Sequence, residues 1–296
     1  MISIPLCAPA LAQGEPQVVV ASKADTEGAL LGSMIALVLE REGVPVRTRL
    51  QLGATQEVRA ALLSGDIHIY PEYTGNGAFF HAMESDPAWR APATAYQTVK
   101  RLDADRHRLV WLDRAPANNT WLIALRGDLA RRYNLSTMAD FAEALKRPLE
   151  IRLAASAEFV ESPAALPSFE RTYGFQFPRD RILVLPGGST AATMRAAAQG
   201  VGGVNAAMVY GTDGAIATLD LVAMRDVRGA QIVYEPAPVV RAEVLERFPR
   251  IARALAPVFG SLTMARLQAM NAEIAIEDKP AREVAERYLQ ELGSKP

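Results

Sequence analysis

The chain has very little of the chemistry that disulfides and metal sites need. Its single cysteine, Cys7, cannot form an internal disulfide or a cysteine-based metal cluster. Its three histidines, His68, His81 and His107, lack the close spacing of a histidine metal motif. We therefore expect no metal ion and no other cofactor.

An excess of charge is also missing, as are long apolar runs and catalytic signatures. The formal net charge is −1 and no basic run stands out, so the sequence has no electrostatic footprint for nucleic acid. No apolar run approaches the ~20 residues that cross a bilayer. The chain contains no nucleophile elbow, P-loop, HExxH pair or dinucleotide glycine fingerprint. We expect neither an enzyme nor a nucleic-acid-binding protein.

Half of the 296 residues are hydrophobic, so the chain can bury a large core and is long enough for two domains. Its beginning has a different character. Residues 2–12 are apolar, and the small residues Ala10 and Ala12 suit cleavage by a signal peptidase. We interpret residues 1–12 as the remnant of a signal peptide and expect secretion to the periplasm.

Strand-like and helix-like patterns alternate along most of the chain. Strands predicted at residues 17–21 and 46–52 are separated by a helical pattern, which favours a parallel sheet with crossover helices. A break at residues 115–120 precedes a second α/β unit, whose last strand is predicted at residues 231–234. Everything beyond Pro238 looks helical. Because this tail has no sheet of its own, we expect it to pack on the first unit.

The stretch at residues 66–80 carries the strongest local signal. Ile67 and Ile69 alternate with polar residues, as in a half-buried strand, and Pro71 should end that strand because it lacks a backbone donor. A turn-rich segment with Tyr73 follows the carboxyl end of the strand, which is where open α/β sheets bind ligands.

This stretch, which contains Ile-Tyr-Pro-Glu-Tyr-Thr-Gly, resembles the signature of the substrate-binding proteins of glycine betaine/choline/carnitine ABC importers. Four further segments resemble the same family, in order and over nearly the whole chain. They are Ser22-Lys23 with Thr26-Glu27-Gly28, Ala117-Asn-Asn-Thr-Trp121, Ala157-Glu-Phe159 with Leu166-Pro167, and Tyr210-Gly-Thr-Asp213 with Tyr234 and Pro238-Val-Val240. The resemblance thus rests on five segments in register.

The resemblance implies the fold and the partners. It implies a two-lobed α/β periplasmic binding protein of type II, each lobe a central sheet flanked by helices, with the ligand in the cleft between the lobes. The first lobe would comprise residues 17–117 and 235–296, and the second residues 118–234. Such a protein delivers a quaternary ammonium osmoprotectant to the membrane permease of an ABC transporter. We expect it to act as a monomer.

The resemblance also implies an aromatic cage, made here of Tyr73, Trp121, Tyr210 and Tyr234. A trimethylammonium group has no N–H to donate, so ring faces select it through cation–π attraction, at about 0.5–2 kcal/mol per desolvated contact. Trp121 stands where relatives more often have Tyr.

Three further ligand-binding positions follow from the family pattern, and one position departs from it. Lys23 would bind the carboxylate of betaine, while Asn76 and Asn119 stand where relatives often have Thr and Asp. The arginine that relatives use for the same carboxylate is replaced by Ser162. A hydroxyl does not replace a bidentate guanidinium. We therefore expect weak betaine binding, or a ligand without a carboxylate, such as choline.

Two alternatives keep the fold. The solute could instead be an amino acid, a polyamine or an anion, and competition by tetramethylammonium would separate these from an aromatic-cage ligand. The protein could also be a sensor that reports to a membrane receptor instead of a transporter subunit.

Overall fold

The strands form two five-stranded sheets, one in each of two lobes. A computed structural model describes residues 17–147, 149–185 and 190–293, so the proposed signal peptide at residues 1–12 lies outside the described residues. The first sheet has the order β2-β1-β3-β10-β4 and the second β7-β6-β8-β5-β9. The strands are β1 Val18–Lys23, β2 Val46–Gly53, β3 Ile69–Tyr73, β4 Leu109–Trp111, β5 Trp121–Arg126, β6 Leu153–Ser156, β7 Ile182–Leu185, β8 Ala206–Tyr210, β9 Leu221–Ala223 and β10 Pro236–Arg241.

The first sheet is mixed, whereas the sequence pattern predicted a parallel one. Strand β1 pairs in parallel with β2 and β3, but β10 runs antiparallel to both β3 and β4. The predicted strand at residues 231–234 is wrong, because the strand lies at Pro236–Arg241. Its two prolines, Pro236 and Pro238, hid it from a pattern that treats proline as a strand breaker.

The prediction that β3 ends at Pro71 is also wrong, because the strand continues to Tyr73. Pro71 lies opposite Pro238 in the antiparallel pairing with β10. Neither proline has an N–H, and alternate residue pairs of an antiparallel ladder exchange no hydrogen bonds, so the pair costs the β3–β10 ladder no hydrogen bond. Pro238 faces β4 instead, where its carbonyl accepts from the N–H of Leu112 and the Leu112 carbonyl accepts from Tyr96 Oη. The extension carries Glu72 and Tyr73 to the end of the strand.

Fourteen α-helices are described, and they cover the two sheets. They are α1 Thr26–Arg41, α2 Thr55–Ser64, α3 Asn76–Phe80, α4 Pro92–His107, α5 Gly127–Tyr133, α6 Met138–Leu145, α7 Ala157–Glu161, α8 Leu166–Tyr173, α9 Thr190–Gln199, α10 Ala215–Thr218, α11 Ala242–Arg247, α12 Arg250–Ser261, α13 Met264–Ala275 and α14 Ala281–Gly293. In the described part of the chain no helix combines the length and apolar character needed to cross a membrane.

The tail helices share a core with the first lobe. Leu30, Met34 and Leu37 of α1 belong to the same buried cluster as Phe259 of α12 and Leu289 of α14. The predicted return of the chain to the first unit is therefore seen directly in the packing. It places α13 beside the cleft between the lobes.

Candidate functional site

A cavity of about 450 Å³ lies between the two lobes. It sits at the carboxyl ends of β1, β3 and β8, where ligands bind in open α/β sheets. Its described lining residues come from both lobes and from the tail helix α13. They are Lys23, Asp25, Thr26, Glu27, Thr55, Tyr73, Asn76, Asn119, Tyr210, Thr212, Asp213, Gly214, Tyr234, Asn271 and Ala275.

In the first lobe, Glu72 anchors the end of β3. This carboxylate is fully buried, and it accepts hydrogen bonds from Lys23 Nζ at 2.6 Å, Asn76 Nδ2 at 2.7 Å and Tyr70 Oη at 2.8 Å. Lys23 Nζ also lies 4.6 Å from the centroid of the Tyr73 ring. The ammonium of Lys23 is therefore already paired, and it occupies a position over one ring of the proposed cage.

Glu27, in the first turn of α1, holds a second group of cavity-lining side chains in place through hydrogen bonds. Its carboxylate is 5% exposed and accepts from Tyr73 Oη at 2.6 Å and from Asn271 Nδ2 at 2.6 Å. Burial raises the pKa of Glu27, while these hydrogen bonds lower it. Burial and the neighbouring Glu27 raise the pKa of Tyr73, which stays a phenol that donates.

In the second lobe, two predicted cage residues are neighbours across the sheet. Trp121 of β5 pairs directly with Tyr210 of β8, and their rings stack with centroids 6.1 Å apart and planes 19° apart. Trp121 also makes an edge contact with Phe159, which is buried in the second lobe. Trp121 thus supports the ring of Tyr210 from behind. Tyr210 lines the cavity and is 37% exposed.

Tyr234 lies where the chain passes between the lobes for the second time. Its backbone N–H donates to Asn118 Oδ1 at 2.7 Å, and its carbonyl accepts from the N–H of Asn119 at 2.9 Å. Its ring lies against Gly75, where an added Cβ would come within 2.8 Å of two ring carbons. The two segments that connect the lobes, at Asn118–Asn119 and at Tyr234, are therefore hydrogen-bonded to each other. Gly75 leaves room for the Tyr234 ring at the cavity wall.

The loop after β8 packs directly on α13. A Cβ at Gly214 would lie 2.2 Å from the backbone nitrogen of Ala272, so only glycine permits this approach. Asn271 Nδ2 donates to the carbonyl of Thr212 at 3.0 Å, and Gln268 Nε2 to that of Gly211 at 2.8 Å. The tail of the first lobe thus forms one side of the cavity and holds the second lobe beside it.

Six of the seven sequence-predicted ligand residues line this one cavity. They are Lys23, Tyr73, Asn76, Asn119, Tyr210 and Tyr234. Trp121 is not among the described lining residues and reaches the site through Tyr210. Ser162, which stands in place of the family arginine, follows α7 and is also absent from the described lining; its hydroxyl accepts from the N–H of Ala164.

The sequence reasoning missed the acidic and amide residues of the wall. Glu27 and Asp213 stand in segments that resemble the family, but the sequence assigns neither of them to the ligand. Burial raises the pKa of Asp213, which accepts from the N–H of Tyr210 at 2.8 Å. Asn271 had no sequence signal, because it lies in the helical tail 244 positions from its partner Glu27.

One group of side chains elsewhere has the composition of a metal site. His81, Asp103 and His107 offer ligand atoms within 4.8 Å of one another. Asp103, however, is fully buried and already accepts from both Nη atoms of Arg59 and from Trp111 Nε1. These contacts account for Asp103 as a buried ion-pair and hydrogen-bond partner in the first lobe, whereas His107 is exposed.

Two lobes, each built on a mixed sheet, with a cavity between them lined from both sides, define the type II periplasmic binding proteins. The comparisons with known proteins identify the family. Residues 16–291 match the model of the substrate binding domain of ABC-type glycine betaine transport systems, and the chain belongs to this family. It is therefore a substrate-binding component of an ABC importer and not an enzyme.

The relatives agree with this assignment over the full length. The chain is 50% identical to the glycine betaine-binding protein YehZ of Escherichia coli (strain K12) over 292 residues, covering 99% of this chain and 94% of that protein. It is 31% identical to a glycine-betaine-binding protein of Pseudomonas aeruginosa, covering 97% and 91%. The solved structure of apo YehZ from Escherichia coli superposes with a TM-score of 0.89 at 52% identity, covering 94% of this chain and 99% of that one.

Proposed function

We propose that the chain binds a quaternary ammonium osmoprotectant between its lobes, with Tyr73, Trp121, Tyr210 and Tyr234 as the aromatic cage. The proposal rests on one observation. Tyr73 of the first lobe, Tyr210 of the second lobe and Tyr234 of a segment between the lobes all line one cavity. Trp121 acts by supporting the Tyr210 ring. Relatives named for glycine betaine support the same class of solute.

The chemistry of the wall favours a cation over an anion. Three carboxylates, those of Asp25, Glu27 and Asp213, line the described part of the cavity. Among the described lining residues the one ammonium is that of Lys23, and it is paired with Glu72. Ring faces and carboxylates both attract a positively charged nitrogen, so an anionic solute would be repelled by most of this surface.

The remaining predicted ligand residues act mainly by positioning. Asn76 holds Glu72, and Asn119 Nδ2 approaches Glu27 Oε1 at 3.4 Å. Because Lys23 already donates to Glu72, it has less to offer a carboxylate than an unpaired lysine would. We therefore retain the expectation of weak glycine betaine binding.

We further propose lobe boundaries and a route to the permease. The lobes comprise residues 17–117 with 235–296 and residues 118–234, and they close over the solute like a hinge. Closure is favoured because only the closed form brings rings from both lobes into contact with the solute. The closed monomer, secreted to the periplasm through the segment at residues 1–12, is the form that the membrane permease recognises.

Calorimetric titration with tetramethylammonium tests the cage, because this ion offers nothing but a methylated cation. We expect binding to the wild type, and a loss of about one cation–π contact, ~0.5–2 kcal/mol, in Tyr234→Ala. Tyr133→Ala is the matched control, since Tyr133 ends α5 and is 36% exposed outside the cavity lining. No binding to the wild type, or equal losses in the two variants, would refute the cage.

A further inference from the structure

One face of helix α13 packs along the loop that follows β8 in the second lobe, at residues 211–214. The residues of this face recur at the spacing i, i+4, i+7 and i+8, which places them on one side of a helix; they are Met264, Gln268, Asn271 and Ala272. The helix itself is anchored in the first lobe, because Leu267 and Met270 belong to the core of that lobe. The contact therefore joins the two lobes directly.

The polar part of this contact consists of two side-chain amides and two carbonyls. Gln268 Nε2 donates to the carbonyl of Gly211 at 2.8 Å. Asn271 Nδ2 donates to the carbonyl of Thr212 at 3.0 Å, and Thr212 is buried. Every atom of these hydrogen bonds belongs to the chain, and Gln268 is not among the described residues that line the cavity. The bonds therefore link the lobes without using the solute.

Gly214 sets how closely the two lobes approach at this contact. Its backbone has φ −64° and ψ −32°, which alanine adopts freely, so the local conformation does not require glycine. An added Cβ would lie 2.2 Å from the nitrogen and 2.6 Å from the Cα of Ala272. These are backbone atoms of α13, which no side-chain rotation can move away. Glycine is therefore required by the contact between the lobes.

We infer that α13 is an interlobe latch, formed by Gln268, Asn271 and the close approach of Gly214 to Ala272, which stabilises the closed arrangement of the lobes whatever the solute. The closed form is then populated before any solute binds. Gln268 is a positioning residue, because it acts on binding from outside the described cavity lining. Apparent affinity scales with the fraction of protein in the competent form, so loss of the latch weakens every solute by one common factor.

Single-molecule energy transfer between the lobes tests the latch without any solute. The dyes are placed on Ala104→Cys in α4 and Gln199→Cys in α9, two exposed positions on different lobes, and Cys7→Ser removes the native thiol. Wild-type protein without added solute should show a closed population at the distance given by this structure, together with an open one. A wild type that shows only the open population would overturn the inference.

Two variants then assign the closed population to the latch. Gln268→Ala should lower the ratio of closed to open protein about 2- to 12-fold, as expected for one neutral hydrogen bond. Gly214→Ala should lower it about fivefold or more, because the added carbon forces the lobes apart. Gln290→Ala, at an exposed glutamine of the neighbouring helix α14, is the control and should leave the ratio unchanged. Unchanged ratios in both latch variants, with cooperative thermal unfolding retained, would overturn the inference.

Calorimetry separates the latch from the proposed cage. Gln268→Ala should weaken tetramethylammonium and glycine betaine by the same factor, no larger than the fall in the ratio of closed to open protein. A loss confined to one of the two solutes would contradict a latch, because it would show a contact with that solute. If neither solute binds the wild type, the proposed function fails, whereas the distance measurement still decides whether the latch exists.

Discussion

Gly75→Ala should weaken solute binding without changing any side chain that contacts the solute. The backbone of Gly75 has φ −65° and ψ −25°, which alanine adopts freely, so backbone strain plays no part. An added Cβ would lie 2.7 Å from Ile232 Cγ2 and 2.8 Å from two ring carbons of Tyr234, about 0.6 Å short of ordinary contact. The Tyr234 ring must therefore move.

The size of the effect follows from two costs. Overpacking of this degree destabilises a protein by about 1–3 kcal/mol. Displacing one ring from the cage removes about 0.5–2 kcal/mol of cation–π attraction, a loss of about 2- to 30-fold in affinity. Both are measurable, the first by thermal unfolding and the second by calorimetric titration with tetramethylammonium.

Gly260→Ala is the matched control for this change. Gly260 lies within α12 and an added Cβ there has no heavy atom within 4 Å. Alanine at this helical position should raise the free energy of unfolding by up to about 1 kcal/mol and leave the affinity unaltered. If Gly75→Ala bound tetramethylammonium as tightly as the wild type, the placement of Tyr234 in the cage would be refuted.

Three further predictions concern charge. Burial raises the pKa of Glu27, so choline affinity should fall as the pH drops through that raised pKa, because the neutral acid no longer attracts a cation. Calorimetry from pH 8 to pH 5 should show this fall in the wild type. The profile of Glu27→Gln should be flatter. Asp103→Ala leaves the buried Arg59 unpaired and should lower the free energy of unfolding by about 3–5 kcal/mol by denaturant titration, whereas Glu143→Ala, at an exposed pair, should have no measurable effect. Ser162→Arg should tighten glycine betaine binding if the long side chain reaches the cavity, and unchanged calorimetric affinity in a folded variant would show that it does not.

The sequence predicted the α/β architecture, and three of the four rings that it proposed for a cage line one cavity, but it placed the proline-containing strands poorly. The alternation of Ile67 and Ile69 predicted a strand in this stretch, but the strand begins only at Ile69 and leaves Ile67 outside it. The tolerance of Pro71 depends on Pro238, more than 160 positions away in the chain. Local rules treat each proline as a stop. Only the cross-strand pairing makes the two compatible with a sheet.

The residues of the site also divide into those that local sequence features predict and those that only tertiary packing brings together. Tyr73 and Tyr210 end strands, so local pattern and family resemblance suffice to place them at the cleft. Asn271 reaches Glu27 only because the helical tail packs back on the first lobe, and no local feature of the tail specifies that contact. The ion pair between Lys23 and Glu72 is likewise a tertiary property, and it reduces what Lys23 can offer a carboxylate.

The crystal structure of the protein with choline would test the central claim most directly. The account predicts the quaternary nitrogen within about 6 Å of the ring centroids of Tyr73, Tyr210 and Tyr234, with both lobes in contact with it. A choline bound elsewhere, or a nitrogen that contacts rings of one lobe only, would contradict it.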